Sequence, residues 1–368
     1  MPNLNMVKSG PVVSLNANRG LRVVAIGGGT GLSTLLKGLK RYVLSQHVHS
    51  TEPLQGAEGF PAIEELTAVV TVTDDGGSSG RLREELKILP PGDIRNCLVA
   101  LSEDEALLSK LFRYRFAAGE GLVGHSFGNL FLAALTDITR DFAEAVELSS
   151  AILATRGRIF PATTSNVRLV AHMDDGSVVH GETKITASSR RIVQLRLVPA
   201  DARALPQALE AIAQADLITI GPGSLFTSLV TNLLVDGIPQ AIAASPAVKI
   251  LVCNLMTQAN ESLGLTASDH LRMLAQHAGR KLFDYALVNR APLSKELQAK
   301  YALEGATPIV VDATEMERLD VNVVEGNYLE EEEEVARHAS DRIARDLLRI
   351  VTDHGQKAGQ INRLSAGT

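Results

Sequence analysis

The sequence predicts an α/β protein with a mostly parallel sheet and an antiparallel insertion. Three observations carry this. Short apolar runs alternate with helical patterns along most of the chain, the mark of βαβ units. Three polar glycine loops stand directly after apolar runs, where open α/β sheets bind ligands. The texture changes over about residues 160–200, where short β runs flank Asp174-Asp175-Gly176-Ser177, a hairpin signal.

Each element follows from its local pattern. Residues 1–20 are Asn-rich and without period, and are expected to be a mobile tail. LRVVAI, from Leu21, is a buried strand stopped by glycines, with a helix from Leu32 to about Tyr42. Residues 44–62 carry turn residues and read as an exposed insertion, and LTAVVTVT (66–73) is the second strand. Residues 94–102, 128–137 and 141–154 read as helices, the last with Asp141 as N-cap. VRLVAHMDDGSVVHGETKIT gives two short β runs and RIVQLRLV a third. Alternation resumes with ADLITIGPGS, a helix at 224–235, PQAIAAS, VKILVCNL, a helix near 267–278, FDYALVN, a helix near 293–302 and TPIVVDA. Residues 331–352 read as a charged amphipathic helix, with Val335, Ala339, Ile343, Leu347 and Ile350 at helical spacing. The expected division is a tail over 1–20, an α/β domain over 21–325, and a C-terminal helix and tail over 326–368.

Composition narrows the function. In the 368 residues, 36 Lys+Arg against 42 Asp+Glu give a net charge of −6, without a basic block, so nucleic acid is not an expected partner. Absence of Trp and 4% aromatics argue against base-stacking platforms. Two cysteines, Cys97 and Cys253, are too few for a disulfide framework. No apolar run is long enough to span a membrane and the first residues lack a signal core, so a cytoplasmic protein is expected.

The loops carry the chemistry. Gly27-Gly28-Gly29-Thr30-Gly31 offers backbone N–H groups at a helix start, the requirement for holding phosphate. It matches neither the dinucleotide fingerprint nor the P-loop, and a tight turn is the plain alternative. In the second loop, after Thr73, Asp74 or Asp75 could accept from a ribose hydroxyl, the pair could hold Mg²⁺, or one could make an Asx turn; Ser78 follows. Gly221-Pro222-Gly223-Ser224 opens another helix, with Ser224 as N-cap or phosphate donor. Asp93 is either an N-cap or a ligand group, and Arg81 and Arg95 are candidate anion partners. Gly124-His125-Ser126-Phe127-Gly128 matches the hydrolase nucleophile elbow but lacks the strand that motif requires. His125, Ser126 and Asn129 read better as polar groups at a helix start facing a ligand, or as satisfied structural groups.

VVAIGGGTGLSTLLKGLK, VTVTDDGGSSGRLRE, PPGDIRNCLVAL, GHSFGNLFLAAL, IGPGSLFTSL and VCNLMTQ…TASDH, in that order, resemble the YvcK-type bacterial gluconeogenesis factors, within the CofD-like group that includes 2-phospho-L-lactate transferase. The resemblance covers about residues 21–325; Leu265 stands where the subgroup often has Tyr. It implies a Rossmann-like CofD fold, a nucleotide at the glycine loops, and a role in allocating carbon to cell wall and cell shape. UDP-N-acetylglucosamine (UDP-GlcNAc) is the implied ligand. Gly28–Gly31 and Gly221–Ser224 are the implied phosphate contacts, Asp74 and Asp75 the ribose or metal groups, and Asn254, Thr257 and Gln258 pocket lining. Two functions follow as expectations. One is a regulatory nucleotide-sugar binder acting through a cell-wall-precursor enzyme, with a homo-oligomer expected. The other is a transferase using a nucleotide-activated donor and Mg²⁺.

Overall fold

A computed structural model describes residues 19–44, 60–103, 107–259 and 261–365, with side chains described to residue 355. β1 (Leu21–Gly27) runs into α1 (Gly29–Lys40), and β2 (Ile63–Val70) leads to α2 (Gly77–Leu86). Next come α3 (Gly92–Leu101), α4 (Leu108–Arg113), α5 (Phe127–Thr139), α6 (Phe142–Ile152) and β3 (Arg158–Pro161). The insertion holds β4 (Arg168–Met173), β5 (Val178–His180), α7 (Glu182–Ala187) and β6 (Ile192–Val198). Then follow α8 (Pro206–Gln214), β7 (Leu217–Ile220), a π-helical turn (Leu225–Val230), α9 (Thr231–Leu233), α10 (Ile238–Ala244) and β8 (Val248–Val252). The chain continues through α11 (Ala267–Ala278), β9 (Tyr285–Asn289), α12 (Lys295–Ala302), α13 (Ala313–Arg318), β10 (Asn322–Gly326), β11 (Leu329–Glu332), β12 (Val335–His338) and α14 (Ser340–Ser365).

Seven strands form one parallel sheet in the order β10-β9-β8-β7-β1-β2-β3. β1, β2 and β3 add outward on one side and β7 to β10 on the other, so the strand order reverses between β1 and β7. A crevice opens at the carboxyl ends of strands at such a reversal. The core strands earn their place by composition: LITI of β7 and VKILV of β8 are buried throughout, as a doubly covered parallel sheet requires. α14 lays Ile343, Leu347 and Val351 into the core and crosses α1 closely. A Cβ on Gly38 would stand 2.3 Å from the Ser340 carbonyl oxygen, so only glycine permits that crossing. β4, β5 and β6 make the expected antiparallel insertion, turned at Asp174–Ser177. Asp141 caps α6 as expected, accepting from the Ala143 and Glu144 N–H groups at 2.7 and 3.1 Å.

Several expectations are corrected. α1 starts at Gly29, three residues before Leu32, so the first glycine loop is itself the first helical turn. β2 ends at Val70, so residues 71–73 belong to the loop. PQAIAAS lies in α10 and TPIVVDA makes only an isolated bridge, Met256 to Pro308; the edge strand is β10. The helix expected over 331–352 begins at Ser340, and the residues before it form the β11–β12 hairpin. A helix would crowd Glu330–Glu334 on adjacent turns, whereas the hairpin spreads them: Glu331 accepts from the Ser294 N–H at 2.6 Å and Glu334 pairs with Lys300. The end of the expected tail also joins the fold, because Arg19 makes a bidentate pair with Asp216 at 2.7 and 2.8 Å. Residues 1–18 of that tail, and 45–59 of the expected insertion, lie outside the described residues.

Candidate functional site

The first and third loops meet at the strand-order reversal. A Cβ on Gly31 would fall 2.3 Å from the Pro222 carbonyl oxygen, so the residue must be glycine for the loops to touch. The N-cap of α1 is Gly28, which has no side chain to satisfy the helix's first N–H groups. Those donors and the positive end of the helix dipole make an anion site. Beside them lies a cavity of about 530 Å³, lined by Gly28, Gly29, Thr30, Gly31, Pro222, Gly223, Ser224, Asn254, Thr257 and Gln258. The Asn254 side-chain oxygen accepts from the Gly223 N–H at 3.2 Å and so ties the β8 loop to the third loop. Gly27 and Gly221 do not line it: the Gly27 carbonyl accepts from Asn232, and the Gly221 N–H donates to Ile26.

The far wall of this cavity went unread in the sequence. Tyr301 from α12 and Arg337 and His338 from β12 complete it. Tyr301 accepts from the Ala336 N–H at 3.1 Å, and His338 donates through Nε2 to the Cys253 carbonyl at 3.1 Å. Burial pushes the His338 imidazole down to about 4, so the ring is neutral at physiological pH. Arg337 is the one Arg or Lys lining the cavity among the described residues.

The third loop differs from expectation in one respect. Ser224 makes no capping bond; the buried Glu261 carboxylate instead accepts from the Phe226 N–H at 3.1 Å and the Thr227 hydroxyl at 2.7 Å. Glu261 thus occupies the start of the π-helical turn, and burial raises its pKa. The helix start that lines the larger cavity is that of α1.

A second, smaller chamber of about 200 Å³ adjoins the first. Asp74, Ser78, Ser79, Asp93, Arg95 and Asn129 line it. Asp93 stands at the boundary, its Oδ2 2.8 Å from where a Cβ on Gly28 would lie, and its carboxylate accepts from the Gly29 N–H. It is not the N-cap of α3, a position held by Pro91. Burial, then the neighbouring Asp74, raises Asp93 to about 7. Arg95 reaches the Ser126 hydroxyl at 2.7 Å and the Asn96 side chain at 2.6 Å. Ser126 caps α5 by accepting from the Asn129 N–H, and no strand precedes Gly124, so the nucleophile-elbow frame is absent.

Thr73, Asp75 and Arg81 face elsewhere. Asp75 accepts from the Thr183 N–H and hydroxyl at 2.8 and 2.6 Å. Thr73 donates to Glu182 at 3.0 Å, so the first turn of α7 grips the second loop at two points. Asp75 and Arg81 line a separate cavity of about 670 Å³ behind α2, and Arg81 donates to the Val123 carbonyl at 2.6 Å. Asp74 takes the Asx-turn role, accepting from the Gly76 N–H at 2.9 Å. The two carboxylates therefore do not converge, and among the described residues no three His, Cys, Asp or Glu side chains form a metal-holding group.

The family profile described as 2-phospho-L-lactate transferase CofD matches residues 23–329. The chain belongs to the CofD family. It is 46% identical over 326 residues to the gluconeogenesis factor of Halalkalibacterium halodurans, covering 89% of this chain and 95% of that one. It is 43% identical over 332 residues to the gluconeogenesis factor of Bacillus subtilis, covering 90% and 98%. A crystal structure of a Bacillus halodurans protein superposes with a TM-score of 0.82 at 46% identity, covering 90% of this chain and all of that one. Within the family, this chain sits with proteins named gluconeogenesis factor. The profile ends at residue 329, so Arg337 and His338 reach the cavity from the segment beyond it. No described helix is long and apolar enough to cross a membrane.

Proposed function

We propose that this protein is a cytoplasmic, homo-oligomeric sensor of UDP-GlcNAc that links gluconeogenic carbon to cell-wall synthesis and cell shape through a partner enzyme of the precursor pathway. The observation that carries the ligand class is the glycine-rich start of α1 facing Arg337 across one cavity. A diphosphate needs backbone donors and a countercharge together, and this cavity supplies both. Asn254, Thr257 and Gln258 add polar groups for the base or sugar. The gluconeogenesis-factor relatives support the physiological part of the reading.

Calorimetry with UDP-GlcNAc and GDP tests it. UDP-GlcNAc should bind more tightly, and Arg337→Ala should weaken it by about 1.5–3 kcal/mol, the value of a charged hydrogen bond. Tighter GDP binding, or an unaffected Arg337→Ala variant, would favour the second reading, a transferase. One observation supports that alternative: the smaller chamber beside the phosphate site gives room for an acceptor. The Mg²⁺ expected on Asp74 and Asp75 does not fit as a pair, because Asp75 is engaged by Thr183 and lines another cavity.

A further inference from the structure

The histidine of GHSFG pairs with a serine the motif does not contain. Ser78 Oγ lies 2.9 Å from His125 Nδ1, although the residues are 47 positions apart. Asn129 Nδ2 donates to the same Ser78 oxygen at 3.1 Å. In the tautomer with the ring proton on Nε2, the Ser78 hydroxyl accepts from Asn129 and donates to His125 Nδ1. Backbone bonds fix the histidine: its N–H reaches the Leu122 carbonyl and its carbonyl accepts from the Phe116 N–H. Ser78, His125 and Asn129 are all buried, at 4%, 3% and 2% exposure, yet Ser78 and Asn129 line the 200 Å³ chamber. Among the described residues Asn129 Oδ1 has no partner, an orphaned buried acceptor at that chamber's wall.

The chamber sets Arg95 and Arg115 against the carboxylates Asp74 and Asp93. Ser78 sits in the first turn of α2, whose N-cap Gly76 supplies no capping side chain. Its first N–H groups and the Arg95 guanidinium border the same chamber. Burial and the nearby Arg81 and Arg115 lower the His125 pKa, while Glu85 opposes them, which leaves a neutral base at pH 7.

From this geometry we infer that Ser78 is a catalytic nucleophile, with His125 as its base, acting on a phosphate ester bound in the smaller chamber. Ser78 Oγ attacks phosphorus and passes its proton to His125 Nδ1. The bond to the leaving oxygen breaks, that oxygen keeps the electron pair, and it takes a proton from solvent. Water then attacks the phosphoserine from the vacated side and releases one proton to solvent. His125 returns its proton to Ser78 as the Oγ–P bond breaks. The net reaction is ester plus water giving alcohol plus phosphate.

The test uses the full chain and p-nitrophenyl phosphate at pH 7, with release of p-nitrophenol followed and acid-quenched protein mapped by mass spectrometry. The expected result is a phosphoryl group on Ser78 and turnover that His125→Asn slows by about 10²–10⁴-fold. The rate should rise with pH through a midpoint below the ordinary histidine value. A fluorophosphonate probe should label Ser78 and spare Ser126. Absence of either modification on Ser78, labelling of Ser126 instead, or an unchanged rate in His125→Asn would overturn the assignment. Site mapping on the unmutated chain does not depend on any variant folding. UDP-GlcNAc calorimetry on that chain reads the larger cavity separately.

Discussion

Asp93 shows how one side chain can tie the chemistry of a site to the stability of a fold. It stands between the two chambers, accepts from the Gly29 N–H, and is faced by Asp74, Arg95 and Glu182. Its proton is held to about pH 7 in the folded chain, against an ordinary value of 3.8. The folded state therefore binds the proton more tightly than the unfolded state. The stability this gives is complete below about pH 4 and is lost as pH rises through 7, a change of about 2–4 kcal/mol. Asp93→Asn keeps an oxygen for Gly29 and never ionises. The variant should melt with the wild type near pH 4 and be more stable at pH 8, as calorimetric melting across that range would show. Parallel melting curves at every pH would mean that Asp93 is ionised in the native protein.

At the scale of elements, the β11–β12 hairpin does the most for the site, because it brings Arg337 and His338 to the cavity. Its turn places Glu333 and Glu334 at φ of 49° and 60°, the left-handed region that glutamate disfavours. Two such residues in succession are the requirement of a turn that an Asn-Gly pair fills best. The double substitution Glu333→Asn with Glu334→Gly should stabilise the protein by about 0.5–1 kcal/mol. A loss of melting temperature in that double variant would argue against the hairpin. The same segment shows where the sequence is hard to read. Val335 and Ala339 sit at helical spacing with the buried stripe of α14, so periodicity extends the helix over residues that are strand. In TPIVVDA, the run pairs with the loop after β8, through the Ile309 N–H and the Leu255 carbonyl, rather than joining the sheet. β10, which does join it, is a half-exposed edge strand and lacks an apolar run. By contrast β1, β7 and β8 are apolar apart from Arg22, Thr219 and Lys249 and are closed by turn residues, and their loops are legible for that reason. The Ser78–His125 pair leaves no local signal, because only the fold brings α2 and the start of α5 together.

For the whole molecule, the larger cavity joins parts of the chain that the sheet keeps apart. α1 belongs to the β1-β2-β3 side of the reversal, the Pro222–Ser224 and Asn254–Gln258 loops to the β7–β10 side, and Arg337 to the hairpin before α14. A nucleotide sugar that contacts all of them adds bonds between these regions, and its binding free energy becomes stability of the native state. At a ligand concentration of 100 times Kd that gain is about 2.7 kcal/mol. Hydrogen exchange should therefore slow in several separated segments at once when UDP-GlcNAc is added: the first turn of α1, residues 254–259, and β11–β12. The β4–β5–β6 sheet lines neither chamber and should change only as much as global stability does. Arg337→Ala should abolish the hairpin's protection first, because it cuts the contact that ties the hairpin to the ligand. Protection confined to α1 would show that the anion site works alone and that the hairpin wall is not part of the binding site.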